Sequence, residues 1–254
     1  MPTAAGLYYF VHGKELYDRP PVLLLHGGGG SHLSWPPQIR RLSGQRMFTL
    51  DLPGHGKSGG VGSQDIAGYG QAVIDFMKAV RLSAAVMVGF SMGSAIALFL
   101  ALQQRRRVLG LGLVGGGAKM RVASSTLEMA ASPSTFPAAV KTIIENSYSS
   151  SADPRLKELA IQQMLETRQA VLYGDFLACD SFDVMDSVKK IRLPALLVCG
   201  SDDRMMPPNR SEYLRDQIEG AELHVLEGAG HMVMIERPGE VAGLLTGFLE
   251  QIPY

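Results

Sequence analysis

The chain has 254 residues, with 24 basic and 24 acidic side chains and a net charge of zero. It is 46% hydrophobic and 19% charged, enough for one large core, and the balanced charge gives no footprint for nucleic acid or an anionic membrane as partner. Two cysteines, Cys179 and Cys199, make no disulfide framework, and residues 1–10 lack the basic start and apolar core of a signal peptide, so a cytoplasmic setting is expected.

A short strand is expected at residues 7–11, followed by a buried strand at 21–25 that runs into His26 and the glycines Gly27 to Gly30. A helical segment over 37–42 precedes a strand at 47–50, which ends at Asp51-Leu52-Pro53-Gly54-His55-Gly56. Ile66, Tyr69, Val73, Phe76, Met77 and Val80 recur at helical spacing and predict a helix over 66–80. A strand at 84–88 and a helix at 94–102 flank Gly89-Phe90-Ser91-Met92-Gly93, and another strand follows at 108–114. Arg105, Arg106 and Arg107 are expected to close the preceding helix, where cations meet the negative end of its dipole. Apolar strands alternating with helices through tight connections predict a mostly parallel sheet covered by helices on both faces.

The alternation stops after residue 120. Residues 121–182 give no strand signal, only helical pieces at 138–146, 153–167 and 169–179 separated by Ser/Thr/Pro-rich joints. Strand signals return at 195–199 and 221–226, with a last helix over 239–251. The expected organisation is thus an α/β core, 1–120 and 183–254, carrying a helical insertion at 121–182, since some sixty residues make a poor independent core.

Chemistry concentrates in a few loops. Between an apolar strand and an Ala/Leu-rich helix, Gly89-Phe90-Ser91-Met92-Gly93 is the pattern of a turn that strains its serine and pushes the hydroxyl out above a sheet. Residues 82–102 carry no charge and match a membrane span in length, but the Gly-Phe-Ser-Met-Gly-Ser centre suits a turn rather than a lipid-facing helix. A serine nucleophile needs a base, and the base needs a third group to hold its tautomer. Among six histidines, His12 and His32 lie in ordinary polar surroundings, and His224 alternates along a strand. His231, in Gly228-Ala229-Gly230-His231 directly after the last strand, can swing an imidazole over the sheet's carboxyl edge. The acid is expected from Asp202-Asp203, which follows the strand at 195–199 on the same edge. Ser, then Asp, then His along the chain is the order expected for this architecture. Acyl transfer also requires N–H donors for an oxyanion, and Met92 can supply one from the helix N-terminus.

With these motifs in place the chain resembles the α/β-hydrolase superfamily, in its branch of small, capped serine hydrolases. The His26-Gly27 loop, the run Asp51 to Ser58, the Ser91 elbow and the loops of Asp203 and His231 carry the resemblance over nearly the whole chain outside the insertion. It implies Asp203 rather than Asp202, because the family pattern G-x-x-D-x-x-x-P lands on Gly200, Asp203 and Pro207. It implies Gly28 as the second oxyanion donor, a structural role for Asp51 and His55, and no metal or organic cofactor. The implied reaction is cleavage of a small-molecule carboxylic ester through an acyl-enzyme. Lactone opening by the same machinery is the nearest alternative. Carbon–carbon bond hydrolases of this fold often carry Trp after the catalytic histidine, where this chain has Met232. A ligand sensor with slow turnover is a reading of a different class. The insertion is expected to fold as a cap, with Met164, Tyr173 and Phe176, together with Trp35, Met205 and Met232 from the core, lining the substrate pocket.

Overall fold

The computed structural model describes residues 2–15 and 19–254. Strands β1 (Thr3–Ala4), β2 (Leu7–His12) and β3 (Val22–Leu25) open the chain, followed by α1 (Pro37–Arg40) and β4 (Met47–Leu50). Next come α2 (Ile66–Ala79), β5 (Ala85–Phe90), α3 (Met92–Gln103) and β6 (Val108–Val114). Four helices, α4 (Ser124–Ala131), α5 (Phe136–Ser147), α6 (Pro154–Leu165) and α7 (Gln169–Ser181), then intervene before β7 (Ala195–Gly200). The chain finishes with α8 (Pro208–Gln217), β8 (Glu222–Leu226), α9 (Val233–Glu236) and α10 (Pro238–Glu250). All eight strands form one sheet in the order β1-β2-β4-β3-β5-β6-β7-β8, in which only β1 and β2 run antiparallel to their neighbours.

The central strands are apolar throughout because each face meets a different core. Leu23 and Leu25 of β3, Met87 of β5 and Leu197 of β7 point into a cluster with α2 and α3. The alternate residues Val22, Leu24, Val86, Val88, Leu196 and Val198 join a second cluster with α1, α9 and α10. Successive side chains of a strand face opposite ways, so a sheet covered on both sides needs apolar residues at every position. Helix α3 lies against the sheet centre with nearly every residue buried, which is why it shows no amphipathic stripe.

The alternating core follows the sequence pattern within one or two residues at most boundaries. Strand β1 and helices α4, α8 and α9 are additional, being short or carrying weak periodicity. The uncharged stretch 82–102 divides at Ser91 into β5 and the twelve-residue α3, and no helix among the described residues is long and apolar enough to cross a membrane. Arg105–Arg107 does not close α3. It forms a separate 3-10 turn beyond the helix end, with Arg107 Nη1 3.5 Å from the Ser83 carbonyl. His32 is not in an ordinary polar setting either. It is buried, and its backbone N–H and ring Nδ1 lie 2.6 and 2.8 Å from Asp51 Oδ1.

The two ends of the four-helix segment between β6 and β7 meet. Lys119 and Asp183 form an isolated antiparallel bridge, flanked by Met120 N–H donating to the Phe182 carbonyl (3.2 Å) and Val184 N–H to the Ala118 carbonyl (2.8 Å). The neck therefore leaves and re-enters the core at one place, between β6 and β7.

Candidate active site

The turn from β5 to α3 holds Ser91 at φ 51°, ψ −117°, one of three non-glycine residues with positive φ among those described. A residue in such a sparsely populated region costs about 1–3 kcal/mol and persists only where its surroundings over-determine it. Here they do. A Cβ on Gly89 would lie 2.1 Å from the Gly93 carbonyl oxygen, and one on Gly93 would lie 2.2 Å from that of Leu25. Only glycine lets strand and helix approach this closely. Ser91 N–H is fixed on the Val114 carbonyl (2.9 Å), and its own carbonyl starts α3 by accepting from Ser94 and Ala95.

His231 and Asp203 reach the same edge from neighbouring loops. Asp202 N–H donates to the Ala229 carbonyl (2.9 Å) and Ser201 N–H to that of Leu226 (3.0 Å), so the loops after β7 and β8 are tied directly. His231 Nδ1 lies 2.7 Å from Asp203 Oδ2, with both side chains buried. Asp203 Oδ1 accepts the N–H groups of Met205 (2.9 Å) and Met206 (2.7 Å), which locks the carboxylate plane. Since a carboxylate there accepts, Nδ1 carries a proton, and in the neutral ring the lone pair is on Nε2. Asp202 is exposed, and its carboxylate accepts only from Ser201 Oγ. Phe90 packs on the imidazole, ring centroids 4.9 Å apart.

Ser91 and His231 face one cavity of about 690 Å³. Gly27 to Gly30 form one wall, and helices α5, α6 and α7 supply Ile143, Ile144, Leu156, Met164 and Phe176 from above. Met92 is the first residue of α3, so its N–H has no acceptor within the helix. Met205, Met232, Met164 and Phe176 line the cavity. Trp35 and Tyr173 do not. Trp35 is fully buried in the core under the sheet with Val22, Leu24 and Ile39, because the 3-10 turn at 32–34 carries it down before α1 begins. Tyr173 is half-buried instead against the cluster that α4, α5 and α7 share.

Beneath the glycine wall is a buried polar cluster. His55 Nε2 lies 2.8 Å from Asp175 Oδ2 and its Nδ1 lies 3.0 Å from the Pro53 carbonyl. Both partners accept, so both ring nitrogens carry protons and His55 is an imidazolium paired with Asp175. Burial works against that charge, but the Asp175 charge and hydrogen bond outweigh it and raise the His55 pKa. His26 is the opposite case. Its Nδ1 lies 2.7 Å from the Gly27 carbonyl and its Nε2 accepts from Leu52 N–H (3.0 Å), which is the neutral form. Burial first, and the neighbouring His55 second, push its pKa down to about 4. Asp51 belongs to the structural turn: it holds His32 and accepts Lys57 N–H at 2.8 Å, and although burial opposes its charge these hydrogen bonds keep its pKa low.

Two acids at the site were not singled out in the sequence. Asp175 is fully buried, and Glu236 accepts from Gly230 N–H (2.9 Å) and Ser149 N–H (3.1 Å), joining the His231 loop to the insertion. Each is the sole charge in an apolar run, residues 171–179 and 232–236, and a lone carboxylate in such a run is buried only when it is paired.

Residues 22–244 match the alpha/beta hydrolase family, and the chain belongs to that family. It is 25% identical over 255 residues to 3-oxoadipate enol-lactonase 1 of Acinetobacter baylyi, covering 95% of this chain and 92% of that one. It is 28% identical over 250 residues to a pimeloyl-[acyl-carrier protein] methyl ester esterase of Neisseria meningitidis, with coverage of 91% and 94%. Among solved structures, the enol-lactonase from Burkholderia xenovorans has the same fold, with a TM-score of 0.88 at 22% identity over 96% of both chains.

Proposed function

We propose that the protein is a serine hydrolase that cleaves carboxylic esters of small molecules through an acyl-enzyme. The observation that carries this reading is the Asp203–His231 hydrogen bond beside a strained Ser91, with the serine and the imidazole opening on one cavity. His231 Nε2, basic because Nδ1 is committed to Asp203, takes the Ser91 proton as Oγ attacks the carbonyl carbon. The oxyanion is held by the N–H groups of Met92 and Gly28, each donor contributing about 3–4 kcal/mol. His231 returns the proton to the leaving alcohol, and water, deprotonated by the same imidazole, then releases the acid.

Helices α4 to α7 act as a cap that selects the acyl or alcohol group. A cavity of about 690 Å³ lined by Ile, Leu, Met and Phe suits an apolar moiety of several carbons or an aryl ring. Lactone opening is the second reading, favoured by the enol-lactonase relatives, because a lactone is an ester whose alcohol stays attached.

A panel of p-nitrophenyl esters of graded chain length and a set of lactones, run with wild type and Ser91→Ala, tests the proposal. Turnover of at least one class that falls at least about a thousandfold in Ser91→Ala supports it. Undiminished hydrolysis by folded Ser91→Ala overturns it.

A further inference from the structure

The glycine loop that carries the proposed oxyanion donor is not held by the core alone. Its first peptide plane, Gly27–Gly28, is fixed from below. The Gly27 carbonyl accepts from His26 Nδ1 (2.7 Å) and from Gly30 N–H (3.1 Å). In a planar trans peptide the N–H points opposite to the C=O, so these bonds direct the Gly28 N–H away from His26. The next two planes are gripped by the insertion. Gly29 N–H donates to Asp175 Oδ2 (2.8 Å), and the Gly29 carbonyl accepts from Thr167 Oγ1 (2.9 Å). Gly29 itself sits at φ 65°, a left-handed conformation that four consecutive glycines would populate as one among many.

Asp175 is held in turn. His55 Nε2–H donates to the same Oδ2, and the Tyr69 hydroxyl donates to Oδ1, in a site with no solvent exposure for any of the three side chains beyond 1%. His55 stacks edge-on against His26, centroids 4.8 Å apart, so the group that fixes Gly27 packs against the group that holds Asp175.

From this geometry we infer that Asp175 and Thr167 are positioning residues through which the helical cap sets the oxyanion loop, so that seating the cap and aiming the Gly28 N–H are one event. The inference rests on the ester-hydrolase reading and adds a role for the cap in the chemical step beyond substrate choice. Three buried donors converge on Asp175, and a carboxylate is the side chain that accepts from all of them at once. Asparagine keeps one oxygen for Gly29 and His55 and turns its amide N–H toward the Tyr69 oxygen. It therefore preserves the grip on the loop, whereas alanine removes it.

The test compares wild type with Thr167→Val, Asp175→Asn and Asp175→Ala, using p-nitrophenyl acetate as substrate and a small aryl trifluoromethyl ketone as transition-state analogue. Thr167→Val is expected to lower kcat about tenfold, a fraction of the effect of removing an oxyanion donor outright, with KM within about twofold of wild type. The ketone's inhibition constant should rise by the factor by which kcat/KM falls. Asp175→Asn should retain more activity than Asp175→Ala. Thr167→Val and Asp175→Asn keep the fold within reach of measurement if Asp175→Ala unfolds. Wild-type kcat in Thr167→Val, at unchanged melting temperature, overturns the inference, as does a loss confined to KM with the ketone bound as before. Failure of wild type to hydrolyse any ester or lactone, and of Ser91 to take a fluorophosphonate label, would instead overturn the underlying reading.

Discussion

Replacing Asp203 with Asn changes one atom, and the structure determines which way the new amide faces. Oδ1 accepts two backbone N–H groups, from Met205 and Met206, whereas Oδ2 accepts only His231 Nδ1–H. An amide nitrogen cannot take the two-donor position without leaving both N–H groups unpaired, a penalty of about 1–3 kcal/mol each. The NH₂ therefore turns toward His231 and Nδ1 must accept from it. The imidazole proton moves to Nε2, which in the proposed mechanism must receive the Ser91 hydroxyl proton and then cannot. Tautomer reversal of this kind lowers kcat by about 10⁴, equivalent to about 5 kcal/mol in the barrier. The fold should be nearly unaffected, because the acid loop keeps both backbone bonds. Asp202→Asn supplies the control, since the Asp202 side chain is exposed and bonds only to Ser201, and it should stay within about twofold of wild type. The assay is kcat/KM on p-nitrophenyl acetate at neutral pH, with melting temperature recorded for both variants. Asp203→Asn retaining more than a tenth of the activity, or Asp202→Asn being the worse of the two, would refute the reasoning.

Selectivity should follow the cavity wall: Met164→Ala or Phe176→Ala should shift relative kcat/KM among esters of different chain length by about 1–3 kcal/mol, measured across a p-nitrophenyl series. Trp35→Ala should leave that ranking alone while costing about 3–5 kcal/mol in urea unfolding, because Trp35 fills the core and not the cavity. The elbow glycines should be intolerant, with Gly93→Ala destabilising by about 3 kcal/mol or more. Gly247→Ala, on the exposed side of α10 with nothing within 4 Å of its added methyl, should stabilise by about 0.5–1 kcal/mol. Stability should also depend on pH in two opposite senses. The unfolded chain protonates His26 near its ordinary value of about 6.5 while the folded protein resists down to about 4, so stability falls as pH is lowered through that window. His55, raised in the fold, contributes fully below its ordinary value and loses that contribution as pH rises through its folded one. Urea midpoints should pass through a maximum between these limits, and the acid-side slope should shrink by about one proton in His26→Asn. An unchanged slope in that variant would show that His26 is not the responsible group.

The alternating core was legible in the sequence because each of its determinants is local. Apolar runs such as residues 22–25 and 195–198 announce strands with two covered faces, and Gly89 and Gly93 announce a turn too tight for side chains. Local signals also drew attention to Ser91, His231 and the Asp202-Asp203 pair, since all lie just past strand ends and a parallel sheet gathers those ends on one edge. The positions decided by the tertiary structure are those whose role depends on a partner far along the chain. Trp35 and Phe176 are both large apolar residues near loops, yet one is core and the other cavity wall. That difference depends on the direction in which a short turn enters the sheet, which composition does not encode. Asp175 acquires its role from Gly29, His55 and Tyr69, which lie 106 to 146 residues away in sequence. A carboxylate in an apolar helix signals only that some donor must meet it. Which donors do so, and hence that the insertion grips the glycine loop, is set by the packing of α7 against the core, because hydrogen-bond geometry exists only once both segments have been brought together.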